Sequence, residues 1–263
     1  MADLIYEARE LVNYMNGRKN TLRQYIVKEM PLTIMLNGEE LATLICSPHS
    51  YELLAIGFLV SEGVLQSRDE LKRIECRPEQ GEIWVDTANG AAHTDDFVRR
   101  NFANCCGKGR PSLHLLDDYE QTRPLSYTSS HFTVGELLGF VTLLNEQAHT
   151  FRLTGGVHEA ALAHGAGFVA SYEDIGRHNA LDRIVGYAFL NDVDTSDKAV
   201  VLSGRIASEM LTKAARIGVS IVVSRSAPTC LSIDWAERLG ITLVGFARGK
   251  TLNVYTHPGR IIE

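Results

Sequence analysis

From about residue 150 onward the chain alternates short apolar runs with segments of helical periodicity, and most runs end in a polar turn. Such alternation leaves little freedom. It implies an α/β fold with a mixed, largely parallel sheet covered by helices on both faces. The runs are Gly167-Phe168-Val169-Ala170-Ser171, Ala199-Val200-Val201-Leu202, Ser220-Ile221-Val222-Val223 and Thr242-Leu243-Val244-Gly245-Phe246. Between them, Leu181, Ile184, Val185, Ala188 and Phe189 fall on one helical face. Ser208 to Ile217 reads as a helix stopped by Gly218, and Leu231 to Leu239 as one closed by Gly240. Val157-His158-Glu159-Ala160-Ala161-Leu162 is expected to be a short helix.

The densest polar turn is Glu173-Asp174-Ile175-Gly176-Arg177-His178-Asn179-Ala180-Leu181-Asp182. It has two readings. In one, Asp174 and Asn179 cap a helix and Arg177 pairs with Asp182 on its surface. In the other, the turn binds something, because polar side chains gather beside the unsatisfied amides of a helix N-terminus. Recurrence favours the second. Turns after the other strands carry Arg205, Arg225 with Ser226 and Thr229, and Arg248 with Lys250. Ligands of open α/β sheets bind outside the carboxyl ends of the strands. Guanidinium groups beside helix N-termini at that edge suit a phosphorylated cofactor.

Charge sharpens the inference. Across 263 residues the formal net charge is −6, which argues against nonspecific nucleic-acid binding, so a cationic edge points to a defined polyanion. No apolar run reaches membrane-spanning length and the first residues lack a signal-peptide pattern, so a cytoplasmic protein is expected. Five cysteines without an export signal speak against a disulfide framework. Cys46 and Cys76 read as small core residues. Cys105 and Cys106 sit instead in Asn101-Phe102-Ala103-Asn104-Cys105-Cys106-Gly107-Lys108-Gly109-Arg110, where nearby cations favour the thiolate.

Four segments are expected. Residues 1–30 read as a charged, partly helical extension. Residues 31–100 read as a mostly β module. In it, Pro31 to Leu36 and Glu40 to Cys46 form a hairpin around Asn37-Gly38. A buried helix follows from Leu53 to near Ser61, then the strand pair Leu71 to Cys76 and Glu82 to Thr87. Residues 101–130 hold the cysteine loop and a linker from Asp117 to Ser130. Residues 131–263 form the cofactor-binding domain, opened by the capping box Thr133-Val134-Gly135-Glu136, with Phe132 and Leu137 in the staple positions.

Two enzyme patterns fail. Nucleobase deaminases need His-x-Glu and Cys-x-x-Cys, whereas His158 is followed directly by Glu159 and no Cys-x-x-Cys occurs, so no zinc site is expected. Thr154-Gly155-Gly156-Val157-His158-Glu159 does not supply a dinucleotide fingerprint either. His158 itself is either a ligand contact, a proton carrier or a hydrogen-bonded structural histidine.

Taken together, several ordered motifs resemble the FdhD family, the sulfurtransferases required for formate dehydrogenase activity. The motifs are Thr154 to Ala161, Glu173 to Asp182, Ser203-Gly204-Arg205, Ser226-Ala227-Pro228-Thr229 and Leu243 to Phe246, with Leu36-Asn37-Gly38 and Ile56 to Gly63 upstream. The resemblance covers roughly residues 25 to 261. It implies a cytidine-deaminase-like C-terminal domain without zinc. It also implies a sulfur relay, in which persulfide sulfur passes from a cysteine desulfurase to the molybdenum cofactor, Mo-bis-molybdopterin guanine dinucleotide, before insertion into formate dehydrogenase. Cofactor contacts are then expected at Phe246-Ala247-Arg248-Gly249-Lys250-Thr251, with Arg177, His178, Arg205 and His158 around them, and a guanine nucleotide as a mimic. A homodimer would suit a bis-pterin ligand.

This chain departs from the family at the cysteine loop. The family pattern is Cys-Gly-x-Cys-Gly, and aligning its second half with Cys106-Gly107 leaves Ala103-Asn104 where the first belongs. Three readings stand open: Cys105 serves through a shift of the loop, Cys106 carries the sulfur, or the chain binds cofactor without transfer. A disulfide between the adjacent cysteines is disfavoured, since neighbouring Cα atoms lie about 3.8 Å apart and bridged pairs prefer roughly 4.4–6.8 Å.

Overall fold

The computed structural model describes residues 5–88, 125 and 130–263. Cys105, Cys106 and nearly all of the expected linker lie outside the described residues.

The N-terminal segment is a β-hairpin and not the partly helical extension expected. Strands β1 (Tyr6–Met15) and β2 (Arg18–Val27) pair antiparallel over ten rungs. Their turn, Asn16-Gly17, has φ of 53° and 76°. Two consecutive positive φ values make the tight hairpin turn that Asn-Gly favours, and the β-branched and aromatic residues on both sides override the charged, helix-like composition.

Next comes the expected module. Strands β3 (Met30–Leu36) and β4 (Glu39–Cys46) turn at Asn37-Gly38, where φ is 51° and 91°. Helix α1 (Tyr51–Ser61) follows, then β5 (Leu71–Arg77) and β6 (Glu82–Thr87), which pair antiparallel. The sheet order is β4-β3-β6-β5, with β3 and β6 parallel. Leu32, Ile34, Ile83 and Val85 pack on Leu54, Phe58 and Leu59 of α1, and Cys46 is buried among them. Cys76 is half-buried, and burial pushes its thiol up.

The rest of the chain is an α/β sandwich. It opens with β7 (Phe132–Thr133), α2 (Val134–Gln147) and α3 (His149–Thr154). Thr133 and Glu136 close the capping box, and the staple pair Phe132 and Leu137 is buried. Then come β8 (His158–His164), β9 (Gly167–Asp174), α4 (Arg177–Leu190), β10 (Ala199–Leu202) and α5 (Ser208–Arg216). The chain ends with β11 (Ile221–Ser224), α6 (Cys230–Leu239), β12 (Thr242–Arg248), β13 (Thr251–Val254) and β14 (Ile261–Ile262). The short helix expected over 157–162 is strand β8. Its residues from Glu159 to Ala163 are all buried between two layers, and fully covered strands lose the alternation that would announce them.

The main sheet has the order β13-β12-β11-β10-β8-β9. It is mixed: the β10, β11 and β12 ladders are parallel, while β8 and β13 run against their neighbours. Strands β9 to β12 therefore point the same way. On one face α4, α5 and α6 cover Leu162, Val200, Val222 and Leu243; on the other α2 covers Ala161, Val201, Val223 and Val244.

Two glycines join the modules. A Cβ at Gly57 of α1 would lie 1.7 Å from the Asp182 carbonyl oxygen, and one at Gly186 of α4 would lie 2.0 Å from the Leu53 carbonyl oxygen. The helices cross backbone on backbone, at a separation that no side chain allows. Gly57→Ala is expected to cost about 3 kcal/mol. Gly139→Ala, on the exposed face of α2 with nothing within 4 Å, should gain roughly 0.5–1 kcal/mol in helix propensity. Urea unfolding of both variants checks the opposite signs.

Candidate functional site

Strands β9 to β12 end together at Asp174, Leu202, Ser224 and Arg248, and β8 starts at the same edge with His158 opposite Asp174. The polar turns singled out in the sequence therefore do converge. They divide the work differently from either reading of the densest one.

Half of that turn faces inward. Asp174 is fully buried and accepts hydrogen bonds from the backbone of Ser47 (2.9 Å) and Gly176 (2.7 Å) and from the Asn179 amide (2.8 Å), while pairing with the buried Arg183. Arg183 also donates to the carbonyls of Ser47 and His49, both at 3.0 Å, and Asn179 donates to that of Ile45 at 2.8 Å. Asp182 accepts from Ser61 at 2.6 Å and pairs with Lys213, so the expected surface pairing with Arg177 does not form. These groups bind the end of β4 and helix α1 to the sheet, and truncating one partner of such a buried pair leaves an uncompensated charge.

The other half faces the edge. Arg177 opens α4, and its Nε is buried without a hydrogen-bond partner. His158 lies beside it: a Cβ on Gly204 would stand 3.2 Å from His158 Nδ1 and 3.7 Å from Arg177 Cδ. Burial, and after it the Arg177 charge, holds the His158 imidazole below its usual pKa, with Asp174 pulling the other way. It is thus neutral near pH 7. His178 Nδ1 sits 3.2 Å from a Glu209 carboxylate oxygen, across the start of α5. The N-termini of α4 and α5 carry no side-chain cap, which leaves their amides and dipoles to a ligand.

Neighbouring turns are held in place. Ser224 Oγ donates to the carbonyls of Gly204 (2.6 Å) and Leu202 (2.9 Å) and accepts from the Ser226 amide (3.0 Å). Arg205 is exposed beyond Gly204, and Arg225 donates to Asn145 of α2 at 2.5 Å. On β12 the ladder slips between Gly245 and Arg248, and Phe246 takes a φ of 50°. A left-handed non-glycine residue at a bulge is strained and re-aims its neighbours. The Arg248 guanidinium stacks over the Phe246 ring at 5.2 Å. Gly249, Lys250 and Thr251 are exposed at the turn into β13, whereas the Ala247 side chain is in the core, so only its backbone can reach a ligand.

Sequence reading missed one acid. Glu159 is 5% exposed, stands opposite Glu173 across the β8–β9 ladder, and has its carboxyl lifted from the usual 4.5 to about 8 by burial and by the Glu173 charge, against the pull of Arg152. Glu173 accepts from the Thr150 and Phe151 amides at 3.2 and 3.1 Å. That pairing was hidden while 157–162 read as a helix. Among the described residues, no group of three or more His, Cys, Asp or Glu stands where it could hold a metal, and no helix is long and apolar enough to cross a membrane.

The fold is thus a mixed α/β sheet with Arg177, Arg205, Arg248 and Lys250 gathered at one strand-end edge. The family follows from comparison. The model of the FdhD/NarQ family matches residues 27–262, so the chain belongs to that family. Sulfur carrier protein FdhD of Bacillus subtilis is 42% identical over 264 residues, covering 100% of both chains, and that of Bacillus pumilus 42% over 260 residues, covering 98% of each. A crystal structure described as a formate dehydrogenase accessory protein from Desulfotalea psychrophila superposes with a TM-score of 0.81 at 26% identity, covering 98% of this chain and 100% of that one.

The raised Glu159 pKa has a defined consequence. The folded state holds this proton more tightly than the unfolded chain, so the stability it contributes is full below pH 4.5 and is lost as pH rises through about 8. Glu159→Gln removes that slope. The variant should gain on the parent by up to about 1.4 kcal/mol per pH unit between pH 5 and 8 and level off above, as read by urea unfolding across pH.

Proposed function

We propose that this protein is a sulfur carrier, a sulfurtransferase serving formate dehydrogenase. It takes persulfide sulfur from a cysteine desulfurase on Cys105 or Cys106 and passes it to the molybdenum cofactor. The observation that carries this reading is full-length identity of 42% with proteins named Sulfur carrier protein FdhD. The cationic edge supports it as a place for a phosphorylated cargo.

In the loading step a thiolate of the cysteine loop attacks the terminal sulfur of the desulfurase persulfide. A new S–S bond forms on this chain, the old one breaks, and the desulfurase cysteine leaves as its thiolate. Lys108 and Arg110 in the same loop favour the attacking anion. The cargo is Mo-bis-molybdopterin guanine dinucleotide, handled in the cytoplasm. Its phosphates would lie against Arg177, Arg205, Arg248, Lys250 and the uncapped amides of α4 and α5. Phe246 with Arg248 offers a flat, cationic surface for a base, and His158, neutral near pH 7, donates or accepts one hydrogen bond without adding charge. A second reading, a cofactor-binding chaperone without sulfur chemistry, is favoured only by Ala103 and Asn104 standing where the family places its first Cys-Gly.

Two measurements separate these readings. Incubated with a cysteine desulfurase and cysteine, the intact protein should gain one reducible sulfur by mass spectrometry, lost in either Cys105→Ala or Cys106→Ala; no gain in the parent leaves only the chaperone. Arg248→Ala should weaken calorimetric binding of a guanine nucleoside diphosphate about tenfold, and unchanged affinity removes β12 and its turn from the binding edge.

A further inference from the structure

Glu159 and Glu173 stand directly opposite each other on the β8–β9 ladder, so both side chains leave the sheet on the face covered by α2 and α3. The Cβ atoms of such a pair lie about 5 Å apart. The two carboxyls have different surroundings. Glu173 accepts the Thr150 and Phe151 amides at the start of α3, one on each oxygen, at 3.2 and 3.1 Å. Glu159 is 5% exposed, and among the described residues no hydrogen bond or ion pair reaches its carboxyl.

Two like charges facing each other out of water strongly disfavour double ionisation, so one proton belongs to the pair. Glu159 keeps it, because Glu173 needs its charge for the two amides. From α3 only Arg152 pulls Glu159 toward ionisation. Ser203, after β10, spends its hydroxyl on the Glu159 amide at 2.9 Å, and α2 turns Leu137, Phe140, Val141 and Leu144 to this side of the sheet, with Glu146 exposed at its end. His49, which meets the Glu173 carbonyl at 2.7 Å, is held below its usual pKa by burial and by Arg183, and so stays neutral.

Helix α3 has six residues, too few to be stable alone, so its place depends on the amides held by Glu173 and on the buried Thr150. It carries the base of the β1–β2 hairpin in turn. Tyr6 packs on Tyr25 at 5.2 Å and on His149 at 6.3 Å, and a Cβ at Gly156 would meet Val27 at 2.9 Å.

We propose that the proton held between Glu159 and Glu173 is a latch: while it is bound, α3 stays docked on the sheet and holds the hairpin base, and its loss to solvent lets α3 and the hairpin base open together. The inference stands apart from the sulfur-carrier reading. Docked, Glu159 keeps its proton up to about pH 8, whereas in the open, hydrated state it returns to the usual 4.5. Opening therefore becomes easier by up to about tenfold per pH unit between roughly pH 5 and 8, and levels off above.

Pulsed hydrogen exchange of the full-length protein, read on peptic fragments, tests it. Protection at Thr150 and Phe151, measured against the unstructured rate at each pH, should fall along that slope. Dilute urea should leave it unchanged, since the opening is local. The base of β2, Tyr25 to Val27, should lose protection over the same range, while the turn at Asn16-Gly17 should not follow. Glu159→Gln, which has no proton to lose, should flatten both profiles. Arg152→Gln, which removes the cation favouring the ionised form, should move the levelling point upward. A parent whose profiles match Glu159→Gln, a slope that appears only as urea unfolds the whole chain, or an α3 that opens without the hairpin base would each overturn the proposal.

Discussion

Helices α1 and α4 touch at Gly57 and Gly186 with nothing but backbone between them, and much of the remaining architecture depends on that contact. It places the end of α1 beside Asp182 and brings the end of β4 over Asp174. At this separation the buried charges of α4 can reach the carbonyls of Ser47 and His49. Arg183 has no exposure at all, and its two terminal nitrogens find Asp174 and the carbonyls of Ser47 and His49 in place of water, while Nε is left without a partner; without the close crossing it would be a buried charge facing apolar side chains. Packing and electrostatics are thus one device, in which two glycines make room and one Asp–Arg pair uses it.

The same device orients the cationic edge. Asp174 ends β9 and its carboxylate holds the backbone of Gly176, so the chain leaves the sheet in the direction that starts α4 at Arg177. Successive parts of the same segment then serve different ends: Arg177 and His178 lie at the sheet edge, while Asn179, Asp182 and Arg183 bind the neighbouring module. Ser224 fixes the Gly204 and Ser226 turns to each other, and the bulge at Phe246 lifts Arg248 toward solvent. A set of cations at strand ends, with two uncapped helix N-termini among them, has the chemistry that phosphate groups require.

Much of this was legible in the sequence. Gly218 and Gly240 end helices as expected because both adopt positive φ, and Thr133 with Glu136 forms the expected box. Asn16-Gly17 and Asn37-Gly38 each turn a hairpin, although the one at Asn16-Gly17 was obscured by the charges around it. What failed did so for physical reasons. His158 to Leu162 lies between two layers, so it shows no alternation. The placing of Arg177 and Arg205 in turns at one sheet edge was legible because turns at strand ends are local. Asp174–Arg183 and Glu159–Glu173 were not, because the first depends on a contact over a hundred residues upstream and the second on the register of a hairpin misread as helix.

The central claim is that the N-terminal module and the sheet form one cooperative body through the α1–α4 crossing. The chain carries two tryptophans, Trp84 on β6 and Trp235 on α6, one on each side of that crossing. Urea unfolding followed by the fluorescence of Trp84→Phe and Trp235→Phe variants reports each side alone. Coincident midpoints and slopes, after correction for any effect of the substitutions, are the predicted result. Two separated transitions, with Trp84 reporting the earlier one, would contradict the account and reduce the crossing to a contact between independent domains.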